Sequence, residues 1–134
     1  VHLALDPEFK TPDNDVPGTV IGSMDASAIN EAQQALEQIV EQNHLPNKIL
    51  MVHQFQPGMI SNKDKLASYP GVDLVIDMDG FGNPQVKTNE YEQFVGTDNA
   101  PHGAFKLFYT QDHPVMTPQQ VEALKPQPDI VIYQ

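Results

Sequence analysis

The chain alternates short apolar runs with segments whose apolar residues recur every three or four positions. The runs are His2-Leu3-Ala4-Leu5-Asp6, Lys48-Ile49-Leu50-Met51-Val52, Val72-Asp73-Leu74-Val75-Ile76, Ala104-Phe105-Lys106-Leu107-Phe108-Tyr109 and Asp129-Ile130-Val131-Ile132-Tyr133-Gln134. Continuous rather than alternating apolarity marks strands covered on both faces, as in a parallel sheet. Between the first two runs, Ile29, Ala32, Leu36, Ile39 and Val40 fall on one face of a helix. Ser23 or Asp25 caps its start, and Asn43 and Pro46 bound its end. A short helix around Lys63 to Ser68 and a weaker one over Thr88 to Val95 separate the next strands. Thr117-Pro118-Gln119-Gln120 reads as a capping box with proline at the first helical position, and Lys125-Pro126 stops that helix. Pro12, Asp13, Asn14, Asp15, Pro17 and Gly18 make residues 10–22 a polar loop.

Strands alternating with helices predict βαβ units and an α/β fold with a parallel sheet. Two architectures fit. One is part of a (β/α)8 barrel of the TIM type, and the other is an open doubly wound sheet. No glycine-rich phosphate loop follows the first strand, which favours the barrel. The 134 residues read as a single domain, 1–134, forming the C-terminal part of a larger barrel. A missing N-terminal half or a partner chain would then complete the sheet. The first residue is Val1, so a processed or excised chain that has lost a targeting segment is expected.

Charge narrows the ligand class. Eighteen acidic residues face seven basic ones, and every basic residue is lysine. Nucleic-acid binding, which leans on basic patches and arginine, is excluded on this balance. Membrane insertion is not expected, because no apolar run is long enough. A neutral or cationic small molecule suits the negative field. Cysteine is absent, which removes disulfides, thiolate metal sites and thiol nucleophiles and fits an extracellular or cell-envelope setting.

Candidate chemistry gathers at the carboxyl ends of the strands, where parallel α/β folds bind ligands. Asp6 and Glu8 follow the first strand, and on an extended segment they share a face as a catalytic acid/base pair. The alternative is a turn begun by Asp6-Pro7 with Glu8 in solvent. His53 and Gln54 end the second strand, and Asp77 and Asp79 the third. Lys106 and Tyr109 belong to the fourth, Tyr133 and Gln134 to the last. These eight are read as substrate-binding. Lys106 either points into the mouth, pairing with Asp77 or Glu8 or forming a Schiff base, or snorkels on the helix side. His53 is a general base or ligand donor, or a packed histidine satisfied by backbone. Phe9, Phe55, Phe81, Tyr109 and Tyr133 are sugar-stacking surfaces or simply core. Asp77-Met78-Asp79-Gly80 offers oxygen ligands but lacks the EF-hand spacing, and Asp79-Gly80 makes an ordinary turn. The histidines do not cluster at zinc spacing. No metal and no cofactor are assigned.

The segments Leu3-Ala4-Leu5-Asp6-Pro7-Glu8-Phe9, His53-Gln54-Phe55, Met59-Ile60, Asp79-Gly80-Phe81-Gly82, Thr117-Pro118 and Tyr133-Gln134 carry a resemblance. In that order they resemble the C-terminal part of a family of uncharacterised secreted or lipoprotein-like bacterial proteins with a barrel-like, glycosidase-like domain. The resemblance implies an extracytoplasmic hydrolase-like domain that acts on or binds carbohydrate. A non-catalytic binding module, or a self-assembling one covering its open strand edges, is the alternative.

Overall fold

The computed structural model describes residues 2–12, 15–96 and 99–134. Asp13 and Asn14 of the expected polar loop lie outside them. The elements in chain order are β1 (Leu3–Leu5), a 3-10 turn (Pro7–Phe9), β2 (Met24–Asp25), α1 (Ala26–Asn43), β3 (Lys48–Gln54) and a 3-10 turn (Pro57–Met59). Then come β4 (Ile60–Ser61), a 3-10 turn (Lys63–Lys65), β5 (Val72–Met78), α2 (Pro84–Phe94), β6 (His102–Leu107), α3 (Pro118–Glu122) and β7 (Ile130–Tyr133).

The fold is α/β. Five strands form one parallel sheet in the order β1-β3-β5-β6-β7, and β2 pairs with β4 in a separate two-stranded parallel sheet. Each strand of the main sheet lies beside its predecessor, so the order never reverses. A doubly wound sheet reverses once, at its ligand-binding switch point. The edges of the main sheet are β1 and β7. Among the described residues no helix is long and apolar enough to cross a membrane.

Local chemistry explains the elements. Asp25 caps α1 by accepting from Ser27 N, and His44 closes it in the left-handed region at φ 49°. Asn83 caps α2 by accepting from Val86 N, with Pro84 in the first turn. That start signal places α2 ahead of the expected Thr88. Thr117 and Gln120 form the expected capping box on α3. The segment after Lys63 makes only one 3-10 turn, so the β3–β5 crossover has no α-helix. Ile39, expected on the buried face of α1, is exposed. Gln33 is buried in that helix instead, donating to the Ala67 carbonyl at 2.9 Å.

The two faces of the sheet differ. Leu50, Val52, Leu74, Ile76, Met78, Phe105 and Leu107 share one hydrophobic cluster with Ile29 of α1, Tyr91 and Phe94 of α2 and Val121 of α3. Successive strand residues point to opposite faces. Ile49, Met51, His53, Val75, Asp77, Ala104 and Lys106 therefore lie on the face away from that cluster. Met51 and Ile49 are only half-buried, as are Ile130 and Ile132 of the edge strand. Burial on both faces thus runs through Leu74–Met78 of β5 and Gly103–Phe105 of β6.

Candidate functional site

Register places the polar face. His53 pairs with Asp77, and Asp77 with Ala104, across three adjacent parallel strands. Asp79 follows β5, tied back by its backbone N–H to the Gln54 carbonyl at 3.2 Å. Lys106 lies two residues past Ala104 on the same face of β6.

These side chains meet. His53 Nδ1 lies 2.9 Å from Asp6 Oδ1 and 3.0 Å from Asp79 Oδ2. His53 Nε2 lies 3.6 Å from Asp77 Oδ2. Lys106 Nζ lies 2.9 Å from Asp79 Oδ1. Asp79 is thus the partner of Lys106, rather than the Asp77 or Glu8 expected. Asp77 is completely buried, and among the described residues neither of its carboxylate oxygens has a hydrogen-bond partner. Native folds seldom leave a buried polar atom unpaired, and a fully buried carboxylate is the costliest kind.

Proton affinities diverge across this cluster. Burial pushes the Asp77 carboxyl up to about 6, against the lowering pull of His53. Burial also opposes the charge on Asp79, but hydrogen bonds from His53 and Lys106 outweigh it and hold that carboxyl below the usual range. At His53 burial disfavours the cation, yet the Asp79 hydrogen bond and the charges of Asp77, Asp79 and Asp6 raise its affinity for the proton. Burial raises the Glu8 carboxyl, and nearby Asp6 and Asp79 add to the rise.

Other sequence expectations fall elsewhere. Asp6 and Glu8 do not share an extended face, because Pro7–Phe9 curl into a 3-10 turn. Gln54 points to the helix side, where it is buried and its Oε1 accepts from Lys63 Nζ at 2.7 Å. Tyr133 pairs with Leu107, which places it on the helix-side face as well. Tyr109 lies beyond β6, exposed, and stacks on Tyr133 with ring centroids 5.8 Å apart. Gln134 serves the backbone ladder, accepting from Tyr109 N and donating to the Leu107 carbonyl. None of these four reaches the His53 cluster. Phe9 is exposed and Phe81 packs edge-on against Phe108.

A pocket brings in a residue that the sequence reading missed. A cavity of about 310 Å³ is lined by Phe55, Gln56, Asp79, Gly80, Phe81 and Glu90. Glu90 stands on α2, and burial raises its carboxyl against the opposing charge of Lys87. Its Oε2 is buried without a partner. A Cβ at position 80 would meet that oxygen, so the Glu90 carboxyl comes right up to the backbone of Gly80. The wall of the pocket is braced by Lys87 and Asp112, both fully buried and 2.9 Å apart.

Compared with protein-family models, with curated proteins and with solved structures, the chain matches none of them.

Proposed function

We propose that this chain carries a hydrolase-type site for a neutral, hydroxyl-rich ligand of the carbohydrate class, on a β/α plan of the (β/α)8 type. The unreversed strand order and the polar side chains beyond the strand ends support that plan. On it, further β/α units meet the edges β1 and β7. The extracytoplasmic setting follows the family that the sequence resembles.

One observation carries the chemistry. Asp79 and Glu90 line the same cavity as the aromatic side chains of Phe55 and Phe81. Aromatic faces pack against the apolar face of a sugar ring, and carboxyl groups bind its hydroxyls. Hydrolysis of a glycosidic bond needs one carboxyl that keeps its proton and another that has lost it. Glu90 is pushed towards the protonated state and Asp79 towards the ionised one. Glu90 donates a proton to the leaving oxygen. Asp79 takes a proton from a bound water as that water attacks the sugar carbon and the bond to the leaving oxygen breaks. The acid role thus moves from the Asp6/Glu8 pair to Glu90, the carboxyl that lines the cavity with Asp79.

The test is turnover of a panel of soluble oligosaccharides and polysaccharides, whose alkoxide leaving groups need a proton to depart. Glu90→Gln should lower kcat about a hundredfold or more with little change in KM, the usual scale for a lost general acid. Glu8→Gln should leave most of the activity. The reverse pattern would return the acid to Glu8. Saturable sugar binding with no turnover by the unaltered chain would leave a binding module and remove the hydrolytic role.

A further inference from the structure

The His53 cluster contains a contradiction that hydrogen bonding does not resolve. Two carboxylate oxygens, from Asp6 and Asp79, converge on the same ring nitrogen at 2.9 and 3.0 Å. A ring nitrogen carries at most one proton, so it cannot direct a full hydrogen bond to both. Beyond the ring's other nitrogen stands Asp77, completely buried, both oxygens unpartnered, with Oδ2 3.6 Å from Nε2. Lys106 relieves only the far oxygen of Asp79.

We propose that Asp6 Oδ1, His53 Nδ1 and Asp79 Oδ2 bind one divalent transition-metal ion, with Asp77 as the carboxylate that orients the imidazole. The spacing fits. Ligand atoms about 2.1 Å from an ion sit about 3.0 Å apart at right angles and about 3.4 Å apart at the tetrahedral angle. The two nitrogen–oxygen separations match the right-angle edge, and all three ligand atoms lie within 4.8 Å of one another. One imidazole and two carboxylates suit Mn²⁺, Co²⁺ or Zn²⁺, and three protein ligands leave positions for water or substrate.

The ion would also account for Asp77. When Nδ1 binds a metal, the neutral imidazole carries its proton on Nε2. A ligating histidine characteristically donates that second N–H to a carboxylate. The orphaned Asp77 oxygen stands there, one short adjustment beyond hydrogen-bond range. Asp6, on the exposed side of the ring, gives the ion its approach from solvent. The site does not depend on the hydrolytic reading. Where both hold, the ion sits at the Asp79 wall of the pocket and supplies the attacking water.

The test reads binding without substrate, so failure of the hydrolytic reading leaves it intact. Chelator-treated chain, free of any affinity tag, is titrated calorimetrically with MnCl2 and with ZnCl2. One ion per chain is expected, at micromolar Kd or tighter. Nitrogen NMR should show His53 Nδ1 as the liganded atom and Nε2 as the protonated one. His53→Ala and Asp79→Asn should each weaken binding about a hundredfold. Asp77→Asn should weaken it ten- to a hundredfold, as second-sphere carboxylates do, and should shift the Nε2–H resonance. Absence of stoichiometric binding to the unaltered chain overturns the proposal. So does equal affinity in His53→Ala, or metal on Nε2 in place of Nδ1. Because two of these readouts use the unaltered chain, a variant that fails to fold does not rescue it.

Discussion

Two buried charge centres lie on opposite faces of the same sheet, and they are built differently. On the helix side, Lys87 Nζ donates to the Gly80 carbonyl at 2.7 Å, to the Lys106 carbonyl at 2.8 Å and to Asp112 Oδ2 at 2.9 Å. Asp112 in turn accepts from Gly82 N and Phe108 N, each at 2.9 Å. The Phe105 and Phe108 rings lie 5.1 and 5.2 Å from the ammonium, within cation–π range. Every charge there has a partner. On the open face, Asp77 is buried as deeply, yet among the described residues neither of its oxygens has a hydrogen-bond partner, and His53 Nε2 stands 3.6 Å off. The first centre has the construction of a brace, pinning the Gly80–Gly82 loop to the end of β6. On the metal reading proposed above, the second has the construction of a site, with polar capacity left unspent for an ion.

Breaking the brace gives the largest effect. Lys87→Met removes the ammonium and leaves the Asp112 carboxylate buried without its cation, with the Gly80 and Lys106 carbonyls unpaired. Loss of one member of a buried ion pair costs about 3–5 kcal/mol. Urea unfolding followed by circular dichroism should show that loss. A cost near the 0–1 kcal/mol of surface pairs would erase the distinction between the two centres.

The sequence shows these centres unequally, for physical reasons. Strands were legible because runs such as Val72–Ile76 combine β-branched residues with an apolar length that suits a short strand. The start of α2 was missed because Asn83-Pro84 follows Asp79-Gly80 so closely that it reads as part of the same turn. Asp77, Asp79, His53 and Lys106 were legible as a group, because parallel strands deliver their carboxyl ends to one side. Gln54 and Tyr133 were misjudged, because a residue's place along a strand does not reveal its face. One step from His53 to Gln54 moves a side chain to the opposite side of the sheet. Glu90 was invisible, since its position depends on where α2 lies and on a missing Cβ at Gly80. Lys87 and Asp112 are 25 residues apart in sequence numbering (112 − 87), and nothing local marks them as a pair.

A half-buried charge sharpens the comparison by lying between the two cases. Lys63 Nζ donates to Gln54 Oε1 at 2.7 Å and to the Phe94 carbonyl at 2.5 Å. It has hydrogen-bond partners but, among the described residues, no anion. Burial lowers its ammonium from 10.5 to about 8. The folded chain therefore holds this proton less tightly than the unfolded chain does. Below about pH 8 both states are protonated and the whole cost of burying the cation is present. Between pH 8 and 10.5 the unfolded state binds more protons, so stability rises with pH from this group, and above 10.5 the gain is complete. The gain is on the order of 1–3 kcal/mol, allowing for partial solvent screening. Urea midpoints measured over this window, compared with those of Lys63→Met, isolate it. The midpoint of the unaltered chain should rise relative to that of Lys63→Met as pH rises, and a constant difference would mean that Lys63 carries no burial cost.

The smallest effect concerns Asp77 and has the opposite sign to the first. Asp77→Asn removes the buried negative charge while keeping the shape. The amide inherits the same lack of partners, so only the part of the cost that belongs to charge is recovered. The metal-free chain should gain about 1 kcal/mol, at the low end of what an unsatisfied buried group costs. Urea unfolding in the presence of chelator measures this. The same substitution at Asp112 should destabilise the chain, because there it takes away the counter-ion of Lys87. Opposite signs for one substitution at two fully buried aspartates would separate the two designs. A loss at Asp77 comparable to that at Asp112 would mean that its carboxylate already holds the fold together, and would place both centres in the same class.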